Sequence, residues 1–357
     1  MGTLKFGVVG CGGQGGGWAN YLAKDPNVEL VALCDIDAVK LNNLKKKTGC
    51  AYATTNFDEF IEQKMDAIVN STPHYLHAEY SIRALEAEKH VFVEKPMAIT
   101  LHQCDAMIRA AKENDVKLQV GFQRRMSFGE RKIKEAIDAG AIGDIYHINL
   151  SARWFRNEMY FMASSPVREE DGGKHWRGVW KTEGGSALIN QTIHLIDLFR
   201  WFGGEIKDIQ ASAHICLHEF IETEDNVGAV VNFKNGAIGT IQAGVVYDKE
   251  SDRIEIYGTK GKIKMDENGV RINGKEITKE VEGDSEGQEV ATRPIMQNFI
   301  DAILNDEPLV CDGYESRNAV EVVRGIYMSV MNNGKVTFPV CDNGCFPRLP
   351  NFYKPVY

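Results

Sequence analysis

The chain has 357 residues, enough for two domains at roughly 150 residues each. It is 43% hydrophobic and 25% charged, and its 41 basic against 50 acidic side chains leave a net charge of -9. That balance argues against nucleic acid or an anionic membrane surface as the main partner.

The first 120 residues alternate. Short apolar runs at 5–9, 30–35, 67–71, 90–94 and 118–122 read as buried strands. Helical patterns fill 15–24, 37–47, 75–87 and 100–114. This grammar predicts an α/β doubly wound parallel sheet, a Rossmann domain over 1–121. Within it, "GVVGCGGQGGGW" sets Gly10, Gly12 and Gly15 in G-x-G-x-x-G spacing after the first strand, and Asp35 ends the second strand. Together these make the dinucleotide fingerprint: a tight turn at Gly10, close backbone approach to a pyrophosphate at Gly12, and helix–sheet contact at Gly15. The Asp35 carboxylate can accept from a ribose 2′-hydroxyl and repels a 2′-phosphate. No Arg follows it, so NAD is favoured over NADP. "VFVEKPM" closes the fourth strand and aims Lys95 at the strand ends, where open α/β sheets bind ligands.

The pattern then changes. A helix over 127–139 precedes longer alternating runs at 145–153, 209–215, 227–233, 237–245 and 253–258. Asn-Gly pairs in "KNGA" (234–237) and "INGK" (272–275) signal two-residue hairpins. The second domain, 122–340, is therefore an α+β unit with a mostly antiparallel, open-faced sheet. An exposed sheet face implies a homo-oligomer. A helix buried nearly all round, "GGSALINQTIHLIDLFRWFGG", lies between its first two strands, and 315–334 reads as another helix. Asn190, His194 and Asp197 are four and three residues apart, which places them on one helical face. The residues 341–357 read as a tail, either an arm onto a neighbouring subunit or a surface strand of chain. Eight cysteines without a C-x-x-C pair, an opening that runs directly into a strand, and no long uncharged apolar stretch predict a cytoplasmic protein with free thiols, no bound metal and no membrane span.

From Lys5 to about Pro339 the chain resembles the glucose–fructose oxidoreductase, inositol dehydrogenase and rhizopine-catabolism (Gfo/Idh/MocA) family. The motifs are "GVVGCGGQG", "STPHYLHAEYSIRAL", "HVFVEKP", "VGFQRR", "HWRGVWKTEGGSALINQTIHLIDLFRWFGG" and "IYGTKG". The resemblance implies a Rossmann domain followed by an open-faced sheet, and a cis Lys95–Pro96 bond. It makes Lys95 the group that polarises the reacting hydroxyl and His194 the general acid/base. It places Asn190, Arg125, Trp176 and Arg177 on the substrate. It adds Gly13, Gln14, Thr72, Pro73, His77, Glu94, Lys95 and Gln123 to the NAD contacts of Gly10, Gly12, Gly15 and Asp35. The chain departs from the family at Asn190, where many members carry aspartate, at Ser186 in place of a third glycine, and at Glu88, where glycine is usual.

Oxidising a secondary alcohol needs a hydride acceptor, which NAD supplies, and a base, which a histidine suits because it ordinarily titrates near neutrality. An ammonium such as that of Lys95 stabilises the developing alkoxide. Asn190 can orient the imidazole or hold a substrate hydroxyl, and Asp197 reads as structural. The aromatics Trp154, Phe155, Tyr160, Phe161, Trp176 and Trp180 suit a sugar's C–H face or an aglycone, with at least half expected in the core. The resemblance implies a sugar, glycoside or inositol as substrate, with pyranose carbon 3 as the first carbon to consider for oxidation. An NAD-dependent glycosidase working by transient oxidation and elimination, and a non-catalytic NAD-binding regulator, are the alternatives.

Overall fold

The computed structural model describes residues 3–162, 175–277 and 289–349. These form two compact units. Residues 3–98, 102–123 and 289–317 make the first, and 99–101, 124–162, 175–277 and 318–349 the second.

The first unit alternates as β1 (Leu4–Val9), α1 (Gly13–Leu22), β2 (Val28–Cys34), α2 (Ala38–Thr48), β3 (Tyr52–Thr54), α3 (Phe57–Ile61), β4 (Ala67–Asn70), α4 (His74–Glu86), β5 (His90–Val93), α5 (Leu101–Glu113) and β6 (Leu118–Val120). The strands are parallel in the order β3-β2-β1-β4-β5-β6. Their short apolar runs are buried on both faces: Phe6, Val8, Val69, Phe92 and Val93 are inaccessible. Asp37 starts α2 by accepting from the N–H groups of Val39 and Lys40, and Gly49 ends it in the left-handed conformation. The Rossmann reading of the sequence holds. Only β3 and α3, too short to show a period, escape it.

The rest of the chain runs α6 (Phe128–Asp138), β7 (Ile145–Phe155), α7 (Glu158–Met162), α8 (Trp180–Glu183), a π-helical segment (Ala187–Thr192), α9 (Ile193–Gly203), β8 (Ile206–His214), β9 (Asn226–Phe233), β10 (Ile238–Gly244), β11 (Val246–Gly258), β12 (Gly261–Asp266), β13 (Gly269–Ile272), β14 (Lys275–Ile277), α10 (Glu289–Asn305), α11 (Gly313–Asn332) and β15 (Val336–Thr337). The second unit's sheet is ordered β14-β13-β12-β11-β7-β10-β9-β8-β15 and is antiparallel except for the β7–β10 pair. Ile148, Leu150 and Ala152 of β7 are buried on the face that α9 covers, while Val230 and Ile238 stay about half exposed. The open-faced sheet is thus present.

The two Asn-Gly expectations fare differently. "INGK" forms the two-residue turn, with Asn273 at φ 52° and Gly274 at φ 83° and Ile272 paired to Lys275. "KNGA" instead makes a four-residue connection between β9 and β10, closed by Phe233 N–H donating to the Ala237 carbonyl. The span 122–340 expected for the second domain also needs correction, since residues 289–317 belong to the first unit. Helix α10 returns to the first unit, where Gln119 Nε2 donates to the Ile295 carbonyl and Phe299 packs on Phe6 and Phe92. Periodicity cannot reveal such a return, because it reports a helix's face and not its partner. Finally, the described part of the tail, 341–349, is docked on its own chain. Asp342 accepts from Arg324 and from Leu101 N–H, and Phe346 stacks on Trp180 at 5.1 Å.

Glu88 is exposed, yet its φ of 57° lies in the region that favours glycine. Glu88→Gly is therefore expected to stabilise the chain by about 0.5–1 kcal/mol, seen as a higher denaturant midpoint at unchanged slope.

Candidate functional site

In the first unit the fingerprint residues gather beyond the carboxyl ends of the parallel strands. Gly10 follows β1 at φ 84°, and a Cβ there would lie 2.5 Å from the Ser71 backbone. A Cβ on Gly15 would lie 1.7 Å from the Gly10 carbonyl oxygen, so the turn closes onto α1 with no space for a side chain. At Gly12 and Gly13 the opposite holds: nothing stands within 4 Å of the position a Cβ would take. Gly12, Gly13 and Gln14 are exposed, and the start of α1 has no side-chain cap. This is an open cradle with backbone N–H groups at a helix start, which suits a pyrophosphate.

Asp35 follows β2. Its carboxylate accepts from Cys11 N–H at 2.6 Å and Asp37 N–H at 2.8 Å, which fixes its direction. A carboxylate has about four acceptor sites, so two remain for a ribose diol. Gln123 follows β6 by three residues, and its side-chain carbonyl oxygen is buried with no hydrogen-bond partner among the described residues. A buried acceptor of this kind fits the carboxamide N–H₂ of a nicotinamide. The residues present therefore fit NAD.

Lys95 follows β5. The bond to Pro96 is cis. The loop is held from two sides. Glu94, 5% exposed, accepts from the Trp18 indole at 2.7 Å and from Lys95 N–H at 3.3 Å. Burial pushes the Glu94 carboxyl up, against the pull of the indole and Lys95. His77, 1% exposed, sets Nδ1 2.7 Å from the Pro96 carbonyl and Nε2 2.8 Å from the Thr72 carbonyl. Burial lowers its pKa to about 4, so the ring is neutral near pH 7. A neutral ring carries one N–H, so it donates to one of these two carbonyls and lies between the Thr72 and Pro96 backbone beside the Lys95 loop. Thr72 is likewise fixed, its hydroxyl donating to Asn70 Oδ1 at 2.7 Å, and Pro73 opens α4.

In the second unit His194 and Asp197 lie in α9, while Asn190 falls in the π-helical segment. There Gln191 N–H donates to the Ser186 carbonyl and the Thr192 hydroxyl to the Ala187 carbonyl, each five residues back. Asn190 is 6% exposed and donates through Nδ2 to Glu183 Oε1 at 2.5 Å and to the Tyr160 hydroxyl at 3.3 Å. His194 stands partly exposed in the first turn of α9. Asp197, expected to be structural, is so: it holds Arg125 Nε at 2.8 Å and Nη2 at 2.7 Å, with both side chains 3% exposed. Arg125 was expected on the substrate. The structure commits these two donors to Asp197 instead. Trp176 and Arg177 lie together, the Arg177 guanidinium 5.0 Å from the Trp176 ring.

Sequence reasoning missed two buried acids. Glu183 is inaccessible, and its second oxygen accepts from Gly178 N–H and the Ser186 hydroxyl. Ser186 also meets Thr223 at 2.6 Å, which gives the departure from glycine a hydrogen-bonding role. Glu224, also inaccessible, accepts from Leu188 N–H and the Tyr327 hydroxyl, both at 2.9 Å, while its Oε2 has no partner among the described residues. The only available signal was Glu183 standing directly before the Gly-Gly pair.

Burial first, and then the charge of Glu183, push the Glu224 carboxyl from 4.5 to about 7. Between those values the folded chain holds a proton that the unfolded chain has released. This contribution to stability is full below pH 4.5 and is lost as pH rises through 7. Glu224→Gln mimics the protonated form. Its melting midpoint is expected to exceed the parent's by a few degrees at pH 8 and to match it near pH 5, as read by calorimetry. A gap that does not change with pH counts against the buried proton.

Of the aromatics, Phe161 is core, and Trp154 and Tyr160 pack against its cluster; Phe155 is 47% exposed. Among the described residues no helix is long and apolar enough to cross a membrane, and no three His, Cys, Asp or Glu side chains gather as a metal site.

Comparison with known proteins adds to this geometry. Residues 4–122 match the sequence model of an oxidoreductase family with an NAD-binding Rossmann fold, and 131–264 match the GFO/IDH/MocA C-terminal domain. The chain is 30% identical to the myo-inositol 2-dehydrogenase of Thermotoga maritima over 270 residues, 74% of this chain and 75% of that one. It is 30% identical to the inositol 2-dehydrogenase of Rubrobacter xylanophilus over 275 residues, 73% and 71% of the two chains. Among solved structures, the WlbA dehydrogenase of Bordetella pertussis, in complex with NADH and UDP-GlcNAcA, superposes with a TM-score of 0.83 at 26% identity, covering 95% of this chain and 99% of that one.

Proposed function

The chain belongs to the Gfo/Idh/MocA family of NAD-binding oxidoreductases, and from that premise we propose that it oxidises a secondary ring hydroxyl of a sugar, glycoside or inositol, pyranose carbon 3 being the first position to test. Bound NAD supplies the hydride acceptor. The Lys95 ammonium binds the reacting hydroxyl and steadies the alkoxide as it develops. His194 takes the hydroxyl proton. Asn190, Trp176 and Arg177 hold the rest of the substrate. Arg125 acts at one remove, anchoring α9 through Asp197. The Gly10–Gly15 turn, Asp35 and Gln123 hold the cofactor, with Glu94, Thr72, Pro73 and His77 keeping the neighbouring loops in shape.

The observation that carries this reading is the bracing of the Lys95 loop. Glu94 is held by the Trp18 indole, and the His77 ring sits 2.7 Å from the Pro96 carbonyl and 2.8 Å from the Thr72 carbonyl. A surface lysine after a turn proline needs no such support, whereas a group that must meet a reacting oxygen does.

The test is a screen of hexoses, inositols and glycosides with NAD. NADH formation is followed together with mass spectrometry of the product, and bound cofactor is released by denaturation. Net NADH with a keto product two mass units lighter supports the reading. Aglycone release without net NADH or keto product would replace it with the elimination route. Tight NAD binding with no turnover of any polyol would replace it with a non-catalytic role. The half-exposed Val230 and Ile238 on the open sheet favour association between copies, so a mass above one chain is expected by sedimentation equilibrium.

A further inference from the structure

Beyond Asn190, the second unit holds a cluster with an excess of hydrogen-bond donors. Trp154 lies near the end of β7 and Arg156 directly follows it, and the Arg156 guanidinium carbon lies 5.0 Å from the Trp154 ring and 5.4 Å from the Tyr160 ring. The Arg177 guanidinium lies 4.2 Å from that same Tyr160 ring, and its Nη1 donates to the Tyr160 carbonyl at 3.0 Å. Two cations therefore attend one phenol ring.

The direction of each hydrogen bond on that phenol follows from charge. Arg156 is a donor only, so the Gln191 oxygen 3.2 Å from its Nε must accept. The Gln191 amide nitrogen then faces the Tyr160 hydroxyl at 2.6 Å and donates to it. Glu183 is an acceptor, so the Asn190 nitrogen faces Glu183, and it too points toward the Tyr160 hydroxyl. The phenol oxygen thus receives two N–H groups, and its own proton must go elsewhere. Burial keeps that proton in place, raising the Tyr160 pKa to about 12. Among the described residues nothing accepts it. Nor does anything accept from Arg177 Nε or from the Trp154 indole N–H, both buried without a partner. Three donors lack an acceptor here, beside two guanidinium groups.

Unmet buried donors are costly to a fold, and a ligand group rich in acceptors would satisfy this set at once. Resting on the sugar-oxidising reading above, we propose that Tyr160, Arg177 and Trp154, with Arg156 beside them, form a subsite for an oxyanion carried by the substrate. The substrate is then an acidic sugar, with a carboxylate or a phosphate as the substituent. Guanidinium and phenol donors on one oxyanion make charge-assisted bonds, about twice as strong as neutral ones. A neutral hydroxymethyl group in the same place would leave most of these donors unmet.

The experiment pairs glucose and galactose with glucuronate, galacturonate and glucose 6-phosphate. Each is measured for NAD reduction and, by calorimetry on the NAD-loaded protein, for binding. An anionic member is expected to exceed its neutral partner at least tenfold in kcat/KM, or in affinity where turnover is absent. Whether the uronates or the phosphate ester show the gain identifies the oxyanion. Arg177→Gln and Tyr160→Phe are each expected to reduce the anionic-to-neutral ratio about tenfold, and Arg177→Lys to regain part of it. The inference fails if neutral sugars equal or exceed the anionic ones, or if the variants lower both alike. Turnover of neutral sugars only would overturn the subsite and leave the oxidation standing. Tight binding of an anionic sugar without oxidation or net NADH would do the reverse. No binding of any member would overturn the subsite.

Discussion

Alanine at His194, or methionine at Lys95, is expected to lower kcat on the true substrate by roughly a hundredfold or more. Loss of a positioned base removes the route by which the hydroxyl proton leaves. Loss of the ammonium leaves the alkoxide to form without a counter-charge. The two variants should be told apart by pH. His194→Ala is expected to remove the acid limb of the kcat/KM profile, since no titrating base remains. Lys95→Met is expected to keep that limb and lower the whole curve. His194 stands in the first turn of α9 and is not among the residues assigned to the cofactor, so its variant should bind NAD as the parent does in a fluorescence titration. Lys95→Met needs a melting curve beside the rate, because its loop is tied to Glu94 and His77. Near-parental turnover in either folded variant would remove that residue from the mechanism.

The second large effect concerns stability. Asp197→Ala leaves the Arg125 guanidinium, 3% exposed, without its carboxylate. Breaking a buried pair from one side costs about 3–5 kcal/mol. For a unit of this size that is a drop of about 10 °C in melting midpoint. The double variant Arg125→Met/Asp197→Leu removes both charges and should regain most of the loss. Asp197 lies in the turn after His194, so Asp197→Ala should also depress kcat in the surviving folded fraction, and the double variant should recover it with the helix. If the double variant is no more stable than the single, the cost lies in packing and not in an uncompensated charge.

These two experiments address features of unequal legibility. The parallel sheet was readable because both-face burial writes continuous apolar runs, and the Gly10–Gly15 turn because only glycine fits there. Family membership was readable from motifs. The π-helical segment that carries Asn190 was not legible, because it adds one residue to a turn without leaving a periodic mark. Arg125 and Asp197 lie far apart in sequence, and charge alone does not announce which arginine a buried acid will take. Glu183 and Glu224 were missed for a related reason. Between apolar and small neighbours, a buried acid reads like a solvated one until its partners are known.

The interrupted path of the first unit matters for how the protein is made. On a ribosome the sheet from β1 to β6 emerges first, yet α10, which covers Phe6 and Phe92 and receives Gln119, is encoded after the whole second sheet. At ordinary elongation rates the nascent sheet waits on the order of ten to thirty seconds with that apolar surface uncovered. The second unit is completed later still, since Arg324, inaccessible in the folded chain, meets its counter-charge only when Asp342 has been synthesised. Translation therefore delivers two half-built bodies that are completed nearly together, and chaperones that hold exposed apolar surface would have their longest opportunity during that interval.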